Sequence, residues 1–172
     1  MNAVSSVFQR ILEWATILLM VVLTAIVLVA VLYRLSGNSL SWYDEIASIL
    51  LSWITYYGAA LAALKRRHIG FDGVLLGLPI PMRKIAVVIA EILVISFFVL
   101  LAWAGFEILS VLAGDTLVAL TWMPVQITQS VIPVGAVLFI AAELLSLPLY
   151  WRATMSGHSL EHGDFADEAG GA

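Results

Sequence analysis

The chain has 172 residues, 62% of them hydrophobic and only 12% charged, with no cysteine and a formal net charge of −4. Soluble domains are about 45–50% apolar and about 25% charged, so this composition cannot cover a folded surface with polar groups, and a mean hydropathy of +1.04 points to a bilayer as the solvent. The length fits one domain and excludes nucleotide-driven pumps with their own motor domain, while the missing cysteines exclude disulfides, thiolate zinc sites and iron–sulfur clusters. Charge is unevenly spread: Glu161, Asp164, Asp167 and Glu168 lie in 153–172, where there is no Lys or Arg, and the remaining eight acidic side chains balance the eight basic ones. No basic excess points to nucleic acid.

A bilayer core about 30 Å thick needs about 20 mostly apolar residues in a helix. Taken in chain order, charge-free intervals give spans at 14–33 and 46–64; 85–106 is interrupted by Glu91, and 126–150 carries Pro133 and Glu143. The expected fold is an all-α membrane protein with four transmembrane helices, the fourth kinked at Pro133. The first span exceeds the 7–15 residues of a signal-peptide core and no A-x-A-like cleavage site follows it, so it is expected to be retained. Residues 1–152 form one transmembrane domain on this reading, and 153–172 an acidic, disordered tail. Basic residues near the span ends set the orientation. Arg10, Lys65, Arg66, Arg67, Arg83, Lys84 and Arg152 lie on one side and Arg34 on the other, which predicts both termini in the cytoplasm.

Before the second span, Ser41 stands three residues ahead of Asp44 and fits a helix-capping pattern, with a partner-docking role as the alternative; Glu45 is not explained by the cap. After that span, Lys65-Arg66-Arg67-His68 suits both a helix C-terminus and anionic headgroups, and reads first as a topology anchor. Glu91 and Glu143 are intramembrane carboxylates, which mark ion pathways unless they are paired. They are expected about 10–12 Å inside the cytoplasmic boundary, paired with Arg10, Arg66 or Arg152, with ion coupling as the competing account. Gly58-Ala59-Ala60 with Ala62-Ala63 forms a small-residue face suited to close packing against a sibling helix or another subunit. None of the three histidines, His68, His158 and His162, lies within a span, so paired haem ligation between helices is not expected. His158 and His162 have the spacing of metal ligands on a helix, but their Gly-rich acidic surroundings favour disorder. No nucleotide-binding, nucleophile or metalloprotease motif is present; an enzyme is not expected, nor a cofactor or metal.

Trp42 and Glu45 before the second span, Trp53 and Gly58 within it, and Arg67-His68 with Asp72 after it form a pattern that resembles the small membrane subunit of TRAP transporters, the tripartite ATP-independent periplasmic systems. Pro79, Pro81, Trp122-Met123-Pro124 and Pro133-Val134-Gly135 extend the resemblance over about residues 10–150. Where the family more usually has a small residue or glycine before the histidine, this chain has Arg66 and Arg67. The resemblance implies a scaffold subunit of the bacterial inner membrane, partnered by a large membrane subunit and a periplasmic binding protein, in the uptake of an organic acid such as a dicarboxylate or sialic acid, driven by sodium. It implies that Trp42, Glu45, Trp53, Arg67, His68 and Asp72 hold the fold and its interface rather than touch substrate. A membrane anchor for a respiratory enzyme and a small homo-oligomeric efflux transporter are the alternatives.

Overall fold

The computed structural model describes residues 3–65, 77 and 79–156. Among them are five helices: α1 (Ala3–Leu35), α2 (Tyr43–Leu64), α3 (Ile80–Val111), the short α4 (Val125–Gln129) and α5 (Val131–Ser156). Four stretches are long and apolar enough to cross a membrane: Ser5–Leu35, Tyr43–Leu64, Ile80–Val111 and Val125–Ser156. No strand occurs among the described residues beyond an isolated bridge between Thr116 and Pro124. The chain is therefore an all-helical protein with four membrane-spanning helices.

The helices run past the charges that bound the predicted spans. At about 1.5 Å per residue, the 33 residues of α1 and the 32 of α3 each extend roughly 50 Å, well beyond the hydrocarbon core. Their ends take charged residues because long side chains there can reach polar surroundings or one another. Glu13 shows how: it accepts a hydrogen bond from Gln9 one turn earlier and pairs with Lys65 at 2.6 Å. This contact ties the start of α1 to the end of α2.

Turn chemistry fixes where the elements stop. Gly37 takes φ of +84°, and Asn38 N–H reaches the Tyr33 carbonyl while Gly37 N–H reaches that of Arg34. This is a Schellman closure of α1, which favours glycine at the left-handed position. Pro79 precedes α3 with extended backbone, and Pro81 sits in its first turn, where the missing N–H costs nothing. The break in the fourth span falls at Ser130, between α4 and α5, rather than as a kink at Pro133 within one continuous helix. Pro133 cannot tolerate a helical carbonyl four residues back, at Gln129, which is where α4 ends. Pro133 thus sits in the first turn of α5, and Pro148 lies in its interior.

The helices pack in the order α1, α2, α5, α3: α2 lies against both α1 and α5, and α5 against both α2 and α3. Hydrophobic transfer gives little between helices in lipid, so close packing must hold them. Small residues supply it. Ala60, Ala63 and Ala142 are fully buried with Leu12 and Phe139, and Tyr57, Val94 and Phe98 close around them. The small-residue face of α2 thus packs within the chain. A Cβ on Gly135 would meet Tyr56 at 2.4–2.7 Å, and one on Gly105 would meet the Pro133 ring at 2.8 Å, whereas Gly58 faces nothing within 4 Å. Gly135→Ala is therefore expected to destabilise the detergent-solubilised protein by about 1–3 kcal/mol. Gly58→Ala should leave its thermal midpoint unchanged or raised; equal midpoints for the two variants would contradict this packing.

Candidate functional site: a carboxylate clamp and an acidic helix seam

Trp42 and Glu45 stand at the start of α2, at the end of the bundle remote from the N-terminus. Trp42 is the residue that precedes the helix, with αR backbone and no side-chain cap hydrogen bond. Ser41 therefore does not cap α2, because the helix begins one residue too late for its hydroxyl to take the capping position. Asp44 and Glu45 do occupy the first turn, where the helix dipole favours negative charge. Ser48 turns back to accept no charge; its hydroxyl donates to the carbonyls of Asp44 and Glu45, both at 2.9 Å.

Glu45 acts across the bundle. Its Oε1 accepts the Val118 N–H and its Oε2 the Ala119 N–H, each at 2.9 Å. Both carboxylate oxygens thus hold consecutive amides of the segment joining α3 to α4. That segment is a compact hairpin: Asp115 N–H bonds Leu112, Leu117 N–H bonds Met123, and Val125 N–H bonds Asp115. Gly114 supplies a left-handed residue at φ +97°. Leu117 is turned in at 9% exposure, while Val118 and Trp122 are turned out at 92% and 77%. Gln126 fastens the far side by donating to the Leu109 carbonyl at 2.8 Å. The sequence indicates Glu45 but not its partners, since backbone amides carry no residue-type signal.

Further along α2, Trp53 packs against Tyr57 with ring centroids 5.7 Å apart, and Gly58 leaves open space beside it. Arg67, His68 and Asp72 lie outside the described residues. The sequence pattern is therefore divided: its first half forms the clamp and an aromatic step, and the structure brings neither to Glu91 or Glu143.

Those two carboxylates occupy the seam between α3 and α5. Three contacts fix the antiparallel register there: Arg83 Nη1 donates to the Thr154 carbonyl at 2.9 Å, the Phe98 and Phe139 rings stack at 3.7 Å, and Gly105 abuts Pro133. On that register Glu91 is level with Ser146, three residues or about 4.5 Å of rise from Glu143. Glu91 shares the buried stripe of α3 with Arg83, Val87, Ala102 and Gly105. Glu143 lies on the α5 side that also carries Phe139 and Thr154. Both carboxylates are buried, at 9% and 6% exposure. Ser146, between them and α2, donates to the Ala63 carbonyl at 3.3 Å and the Glu143 carbonyl at 3.0 Å.

Arg10 and Arg152, considered as partners from sequence, are exposed, and Arg66 lies outside the described residues; the basic side chain buried at this end is Arg83. Sequence reading counted Arg83 only as a topology signal, because a basic residue near a span end looks the same whether it faces lipid headgroups or a neighbouring helix. Glu91 lies about 16 Å along α3 from its start. Among the described residues no group of three or more acidic or histidine side chains is placed to hold a metal.

The site is thus a four-span helical bundle in which one carboxylate holds backbone amides and two are buried between helices. Residues 23–152 match the family of tripartite ATP-independent periplasmic transporters, DctQ component, and the chain belongs to that family. It is also 23% identical over 108 residues to a Haemophilus influenzae protein assigned as a TRAP transporter small permease; the match covers 62% of this chain and 66% of that protein's length. Every candidate site residue from Trp42 to Glu143 falls inside the family match.

The clamp makes a local prediction. Hydrogen bonds to a charged group are stronger than neutral ones but weakened by exposure. Glu45→Ala should raise amide hydrogen exchange at Val118 and Ala119 roughly three- to tenfold while leaving the α5 core protected. Unchanged exchange at both amides would show that the hairpin holds itself without the carboxylate.

Proposed function

We propose that this chain is the scaffold subunit of a TRAP transporter in the bacterial inner membrane. It binds a large membrane subunit that carries the transport pathway and receives substrate from a periplasmic binding protein. The observation that best supports a scaffold is Glu45. A carboxylate in the family pattern has both oxygens engaged by backbone amides of the same chain, so its charge builds a surface rather than handling a solute. The buried seam of Glu91 and Glu143 agrees, because it lies between two helices of the chain and is packed by Phe98, Phe139 and Ser146.

On this reading both termini are cytoplasmic, following the basic excess on their side. The Glu45 clamp and its hairpin then face the periplasm. Residues 1–152 act as one membrane domain without catalytic or cofactor chemistry of their own. The transported solute is an organic acid, and its entry is coupled to sodium through the large subunit.

Affinity purification of the tagged chain from native membranes in mild detergent tests this. Its large membrane partner should remain bound in stoichiometric amount, and proteoliposomes holding this chain alone should take up no organic acid. Recovery only as a monomer or homo-oligomer, or sodium-dependent uptake by the isolated chain, would overturn the scaffold assignment.

A further inference from the structure

The turn between α1 and α2 encloses a cleft of about 290 Å³ whose lining includes Ala30, Arg34, Ser39, Ser41, Tyr43 and Asp44. That volume is at the lower limit for small-molecule pockets, about 300–1,000 Å³, and suits a compact polar group better than an extended solute. Its chemistry is bipolar. The Tyr43 hydroxyl lies beside both the Asp44 carboxylate and the Arg34 guanidinium, standing between two charges that do not pair directly as Lys65 and Glu13 do. Arg34 and Asp44 are both exposed, so one cation and one anion are presented in the same cleft without neutralising each other directly.

The surroundings define what such a cleft accepts. Val27 and Val31, at 38% and 48% exposure, lie on the Arg34 side of α1 and lead along it towards the cleft, and in a bilayer they meet acyl chains. Tyr33, Trp42 and Tyr43 stand around the same level, as aromatic residues do at a membrane interface. Arg34 is the basic residue on this side of the four spans, where Asp44, Glu45, Glu107 and Asp115 also lie. A net anionic headgroup would meet the Asp44 carboxylate in the cleft; a zwitterionic one would satisfy both charges.

We propose that this cleft binds the phosphoethanolamine headgroup of a membrane phospholipid, with its phosphate on Arg34 and the Ser39 and Ser41 hydroxyls and its ammonium on Asp44. Guanidinium is well suited to phosphate oxygens, and a primary ammonium has the three donors a carboxylate can accept. A quaternary choline headgroup lacks those donors and fits less well. The acyl chains lie along the side of α1 that carries Val27 and Val31. The bound lipid would thus fasten the α1–α2 turn to the Trp42–Glu45 segment, which supplies Tyr43 and Asp44 to the cleft, independently of any transport partner.

Native mass spectrometry of the full chain in mild detergent, with equimolar phosphatidylethanolamine, phosphatidylglycerol and phosphatidylcholine, tests the assignment. Phosphatidylethanolamine should be retained over each of the others by about two- to fivefold, the range for one partly exposed charge pair. Asp44→Asn, a near-isosteric change at an exposed position, should abolish that preference over phosphatidylglycerol while total lipid retention persists. Arg34→Ala should reduce retention of all three lipids, and Arg10→Ala, at the opposite end, should change nothing. Absence of the preference in the unmodified chain, its persistence in Asp44→Asn, or an identical loss in Arg10→Ala would overturn the proposal. So would displacement of the lipid by equimolar water-soluble glycerophosphoethanolamine, which would assign the cleft to a free solute.

Discussion

Close approach of helix backbones is the constraint on which this bundle depends. In hydrocarbon, a helix gains little from hiding leucines from lipid, so it must gain from contacts that lipid tails cannot match. Gly135 lets Tyr56 of α2 lie directly on α5, and Gly105 admits the Pro133 ring against α3. Ala60, Ala63 and Ala142 continue the same contact. α5 is the most enclosed helix because both of its neighbours approach it through small residues. α1, which touches mainly α2, leaves most of its apolar surface to lipid or to another protein.

Polar groups then have to be placed where this packing allows. Glu45, Glu91 and Glu143 do so in different ways. Glu45 sits at a helix start near the membrane surface and takes two backbone N–H groups, a charge-assisted arrangement that satisfies donors a hairpin would otherwise leave to water. Glu91 and Glu143 lie deep in the seam of α3 and α5, within about a turn of one another. Ser146 and Arg83 extend this polar layer to α2 and to the end of α5. One end of the molecule is therefore shaped by a clamp on a loop, and the other by a buried layer between helices.

The exposed Val118 and Trp122 are carried on a hairpin fastened at Glu45, Leu117 and Gln126, so its outward face is fixed relative to α2 and α3. Beside it, the fully buried alanines of α2 and α5 keep those two helices in contact.

Much of this was legible in residue order. Four apolar stretches, the sparse charge and the pattern from Trp42 to Asp72 identify an all-helical membrane protein and its family resemblance, because lipid forces backbone hydrogen bonds to be satisfied within each span. Glu45, Glu91 and Glu143 stood out for the same reason: a charge near hydrocarbon needs an explanation. Their partners did not, since the amides of Val118 and Ala119 and the carbonyl of Thr154 belong to backbone that every residue shares. The Ser41 cap failed, and the interruption caused by Pro133 falls at Ser130 as a break rather than a kink, because both depend on where a helix starts to within a few residues, which local pattern leaves open. Sequence by itself determined how many helices cross the membrane and which side chains are anomalous there. Only the tertiary structure decided which helices touch and what each anomalous side chain holds, because register is set by close packing at particular glycines and alanines, a property of pairs of helices rather than of either one alone.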